Sequence, residues 1–195
     1  AFRRALSLRP EFRAYQGLVQ AYLSIAKHKE ALATAKEAAK LMPECAQAVT
    51  LLGTVYAQQS DGRDKARRVF ETALRREPQS LDAALALVDL HAQDGRLDLA
   101  RALLNHHLAV GSAPEPSVQA ALHCKLAAVL SASKKFAESI GHYQAALTVN
   151  PSDDEARRGM ERVEKLMKGE DPDAQADDDT EEDTEADLDD GGVDF

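Results

Sequence analysis

The chain has 195 residues, of which 44% are apolar but only 5% aromatic, with no Trp and a formal net charge of -9. That is enough apolar material for a core of single-domain size, and its Ala- and Leu-rich character suits closely packed helices rather than strands. No apolar run approaches the ~20 residues that span a bilayer, no secretion signal is visible, and two cysteines, Cys45 and Cys124, are too few for a disulfide framework.

The charge is unevenly placed. Residues 170–195 hold fourteen Asp or Glu and no Lys or Arg, so the body before them is mildly basic. A mildly basic body without an arginine cluster interleaved with aromatics gives no reason to expect nucleic acid. The first residue, Ala1, falls in mid-pattern, as expected of the C-terminal piece of a longer protein.

An internal repeat dominates. An Ala followed five residues later by Pro recurs at Ala5 and Pro10, Ala38 and Pro43, Ala73 and Pro78, and Ala146 and Pro151. The Pro steps are 33, 35 and 73, the last about two periods of ~34 residues. The pattern predicts the second helix of a partial unit over 1–10, helix pairs over 12–45 and 46–80, a divergent pair over 81–114, another over 120–153, and a capping helix over 154–168. The acidic tail over 170–195 has few sizeable apolar residues and is expected to be disordered.

Taken in chain order, the first full unit has Tyr15, Leu18, Val19 and Tyr22 at packing spacing on its first helix. Its second helix carries Ala31, with only Ala35 one turn later. The second unit has Val49, Leu52, Gly53 and Tyr56, then Ala66 and Phe70. The third has Ala84, Leu87, Val88 and His91, then Ala100 and Leu104, with His107 and Ser112 where the pattern asks for Ala and Pro. The fourth has His123, Leu126, Ala127 and Leu130, then Ser139, Tyr143 and Ala146. Spacings of three, four and seven gather these residues on one stripe of each helix. Turns are expected at 26–29, 60–64, 94–96 and 133–135, where Asp61-Gly62 and Asp94-Gly95 suit positive φ. Ser152 with Glu155 reads as a capping box, and Ala156, Met160, Val163 and Met167 come next on one face up to Gly169.

The pattern of aromatic, Leu-Gly, Tyr, Ala, Phe, Ala and Pro over residues 1–153 resembles the tetratricopeptide-repeat (TPR) family. The resemblance implies an all-α fold, a superhelix of helical hairpins whose concave wall comes mostly from each first helix. By that analogy the wall consists of Arg13, Gln16, Gln20 and Leu23, then Gln47, Thr50, Thr54 and Ala57. Asp82, Leu85, Asp89 and Ala92 come next, and last Ala121, Cys124, Ala128 and Ser131. This set has neither the Lys nor the Asn with which chaperone-binding TPR modules hold a terminal carboxylate, so it favours packing against a folded partner.

The runs Arg13-Ala14-Tyr15-Gln16-Gly17-Leu18-Val19-Gln20-Ala21-Tyr22-Leu23, Leu51-Leu52-Gly53-Thr54-Val55 and Tyr143-Gln144-Ala145-Ala146-Leu147-Thr148-Val149-Asn150-Pro151, leading into Gly159-Met160 and Glu164-Lys165, are more specifically similar to the C-terminal part of the subunit 7 family of the anaphase-promoting complex. That likeness implies a non-catalytic scaffold in a ubiquitin ligase of mitotic progression, partnered by the other TPR subunits, in nucleus and cytoplasm. It implies a homodimer only through an N-terminal region outside this chain. A general TPR adaptor or co-chaperone, and an acidic-tailed histone-binding protein, are the alternative readings. Thr180 with Asp183 and Thr184 with Asp187 suit acidophilic kinases.

No cofactor or catalytic motif is found: neither a phosphate-cradling Gly-rich loop, nor His-Glu-x-x-His, nor Cys-x-x-Cys occurs. His106, His107, His123, Cys124 and His142 match no metal-ligand spacing, and the two cysteines read as small fillers.

Overall fold

The computed structural model describes residues 12–59, 61–110 and 115–172. The expected helix over 1–10, most of the 111–117 connection and the tail from 173 onward lie outside them. Among the described residues the chain forms nine α-helices in succession: α1 (Phe12–Ser24), α2 (His28–Leu41), α3 (Ala46–Ala57), α4 (Arg63–Arg76), α5 (Leu81–Gln93), α6 (Leu97–Val110), α7 (Pro116–Ala132), α8 (Phe136–Val149) and α9 (Asp154–Lys168). Each packs mainly on its sequence neighbours, as a solenoid requires.

The core is a row of small clusters rather than one centre. Val19, Ala31, Ala35 and Val55 form one, and Ala66, Phe70, Leu87 and Leu90 another. Val88, Ala100, Leu104, Leu122, Leu126, Val129 and Leu130 form a third. At the end Ala127, Tyr143, Ala146, Ala156 and Val163 pack together. Small residues sit where backbones approach, and Ala31, Ala38, Ala66, Ala73, Ala100 and Ala146 are fully buried. Leu18, Leu52, Tyr22 and Tyr56 are half-buried, whereas Leu87 and Leu126 are buried.

At Gly53 an added Cβ would collide with the Phe70 ring. Glycine there lets α3 and α4 close around the aromatic. Gly95 has φ +72, as its turn predicts. Ala26 (φ 56) and Lys134 (φ 59) take the same left-handed conformation at the matching turns, where an L side chain is strained.

Two expectations are corrected. Gly62 has φ -90, so positive φ is not its reason; a Cβ would collide with the Tyr56 carbonyl oxygen, and close approach to the preceding helix demands glycine. Ser152 does not cap α9. Asp153 does, its Oδ1 accepting from the backbone N–H groups of Glu155 (3.0 Å) and Ala156 (3.1 Å), while the Ser152 hydroxyl turns to Asn150. A carboxylate at this end also favours the helix dipole, which explains why it displaces the hydroxyl. Gly169 closes α9 at φ 77, with Glu170 N–H donating to the Lys165 carbonyl, a left-handed helix stop.

Candidate protein-binding groove

The first helices of the pairs line a groove. Gln16 and Gln20 of α1, Gln47, Thr50 and Thr54 of α3, and Asp82 of α5 meet around an open cavity of about 430 Å³, with Leu23, Gln58 and Leu85 between them. Primary amides both donate and accept, so the glutamines can pair with exposed backbone, and Asp82 is the charged residue of this lining. Thr50 is the least available of the set: it is buried, and its hydroxyl donates to the Ala46 carbonyl at 2.8 Å. Arg13 is exposed on the first turn of α1, outside this cavity. Asp89 faces the next opening, of about 220 Å³, with Val88, Ala92, Ala128 and Val129.

Lys125 stands in this second opening, its Nζ 2.6 Å from Asp89 Oδ1, and ties α7 to α5 across the groove. Both side chains are partly exposed, so the pair stabilises by at most about 1 kcal/mol. The wall is therefore not free of lysine. Analogy places only Ala121, Cys124, Ala128 and Ser131 of α7 on the wall, and Lys125 sits one residue past one of them. Cys124 itself is not a wall residue. It is buried beside Tyr143 and Ala156, with Sγ 3.9 Å from Asp153 Oδ2. Burial, then the nearby Asp153 and Glu155, push its thiol up to about 11, which keeps it protonated and unreactive.

α9 extends the wall. Its Ala156 and Val163 pack on α8 as Ala48 and Val55 of α3 pack on α2. A helix seated this way turns Arg158, Arg162 and Lys165 toward a third opening, of about 470 Å³, lined also by Tyr143, Glu155, Gly159 and Glu161. Glu155 lines both this opening and the second. Thus the groove is amide-rich with one carboxylate at one end and has three cations against two carboxylates at the other.

Four of the six histidines form two pairs. His123 Nδ1 and His142 Nδ1 lie 3.0 Å apart with stacked rings, so one ring donates and the other accepts. Burial lowers the pKa of both. His106 meets His107 edge-on, and burial lowers His107. Cys124 joins neither pair, and among the described residues no group of three or more His, Cys, Asp or Glu is placed to hold a metal ion. Among those residues no helix is long and apolar enough to cross a membrane.

The profile described as tetratricopeptide repeat matches residues 50–114. Anaphase-promoting complex subunit 7 of Arabidopsis thaliana is 47% identical over 174 residues, 89% of this chain and 30% of that protein. The proteins of the same name from Dictyostelium discoideum (32% over 177 residues; 91% and 30%) and Homo sapiens (30% over 165 residues; 84% and 28%) are also similar. The chain thus spans about three tenths of the length of the curated relatives it matches. Among solved structures, a thermophilic TPR protein of Thermus thermophilus has a TM-score of 0.67 at 22% identity, covering 85% of this chain and 87% of that one. MamA of Desulfovibrio magneticus has 0.63 at 19%, covering 80% and 85%. At such identities these two likenesses show the fold alone.

Proposed function

The chain belongs to the subunit 7 family of the anaphase-promoting complex, and from that premise we propose that it is part of a non-catalytic scaffold subunit of that complex, acting in mitotic progression. The observation that carries this reading is the 47% identity to subunit 7 of that complex over 89% of the chain. Its partners are then the other TPR subunits of the ubiquitin ligase, and its place is in nucleus and cytoplasm. The helix pairs supply stiffness and a groove; catalysis belongs to other subunits. The wall residues Arg13, Gln16, Gln20, Gln47, Thr50, Thr54, Asp82 and Asp89 are the proposed contact set. Amides and small side chains with little net charge fit packing against a folded neighbour better than capture of one charged peptide end.

The test is purification of the tagged full-length protein from mitotic cells at moderate salt, followed by mass spectrometry. Near-stoichiometric recovery of the other ligase subunits is expected. Recovery of chaperones or histones without them would leave the helical array standing and overturn the function.

A further inference from the structure

Arg158, Arg162 and Lys165 are spaced by four and three residues, so they share one face of α9. They line the 470 Å³ opening together with Glu155 and Glu161, and its far edge is Pro172, the last residue the structure describes. The chain therefore leaves the described fold at the rim of a site with three cations and two carboxylates. Beyond that rim the sequence continues through residues 173–195, with twelve Asp or Glu and no Lys or Arg.

We infer that this acidic stretch of the same chain seats on the Arg158, Arg162 and Lys165 face of α9. Two features favour it over an acidic segment of another molecule. The stretch is tethered at the edge of the site, so its effective concentration there is on the order of millimolar without any loss of free translation. Its twelve carboxylates are also opposite in sign to the three cations of the face. Guanidinium groups hold carboxylates through paired N–H donors, so a run of closely spaced acids can meet them in many registers. The inference is independent of membership in the ligase.

The test uses the full chain with Cys45→Ala, Cys124→Ala and Asp194→Cys, carrying a nitroxide spin label at 194 and read by amide NMR. At low salt the amides of residues 158–165 should lose most of their intensity. The loss should reverse near 1 M salt, where the screening length falls to about 3 Å. It should also vanish when Arg158→Glu, Arg162→Glu and Lys165→Glu are combined. A second variant leaves the helices untouched, neutralising the tail with Asp177→Asn, Asp178→Asn, Asp179→Asn, Glu181→Gln, Glu182→Gln and Asp183→Asn; it too should restore intensity. Undiminished α9 signals at low salt, or a loss that survives both variants, would overturn the inference. So would a loss carried entirely by label on other molecules in a mixed sample, which would assign the face to an acidic segment of another chain.

Discussion

The first and second helix pairs close the same gap with opposite choices of side chain. In α1–α2, Val19 and Ala35 are both buried in one cluster; in α3–α4, Gly53 lies directly under Phe70. One pair spreads its volume over both helices, and the other concentrates it on the second. The third pair uses Val88 with Leu104 and the fourth Ala127 with Tyr143, each within one cluster. Interiors are packed to crystal density, so the bulky Phe70 needs Gly53 opposite it, whereas Val88 with Leu104 is larger in sum than Val19 with Ala35 and the total volume is not fixed along the solenoid.

The largest break in this comparison should come from Phe70→Ala, which empties the space above Gly53 and should cost about 3–5 kcal/mol in urea unfolding. Gly53→Leu approaches the same contact from the other side. Its side chain meets a ring that already leaves no room for a Cβ, and a loss of about 1–3 kcal/mol is expected despite better helix propensity.

The fourth pair can be probed by pH. Burial holds His123 and His142 below their ordinary 6.5, with the neighbouring imidazole further lowering His123 and Glu138 partly offsetting the shift at His142. The unfolded chain therefore takes up these protons first as pH falls. Stability should be full above pH 6.5 and lost as pH drops through the folded values, because a doubly protonated pair cannot share one hydrogen bond. His142→Gln should flatten that part of a Tm-against-pH profile, whereas an unchanged slope would assign it to other groups.

The smallest expected effect is a gain. Ala26→Gly relieves a left-handed residue at the α1–α2 turn, matching Gly95 at the α5–α6 turn, and should stabilise by up to about 1 kcal/mol. A drop in Tm would show that the Ala26 methyl group contributes more than its strain costs.

Period and small-residue spacing suffice to place the helix pairs and the Gly53 contact in the sequence, because both are local patterns. Gly62 misleads because an Asp-Gly dipeptide signals a turn whether the reason is φ or close approach. Ser152 and Asp153 both offer capping oxygens, and only geometry decides between them. Lys125 is invisible to analogy because a long side chain reaches a groove from one residue off its lining positions. The charged end of the groove is hidden for a different reason: α9 reads as a polar cap, and its face is defined only by how Ala156 and Val163 seat it on α8.

The most direct measurement is a double-mutant cycle of Gly53→Val and Phe70→Ala by urea unfolding, since together they copy the Val19 and Ala35 pair. If Gly53 is required because Phe70 fills the space beside it, the double variant will be more stable than the two single losses add up to, by a coupling of about 1 kcal/mol or more. Additive losses would contradict it and would mean that Gly53 and Phe70 are required for separate reasons.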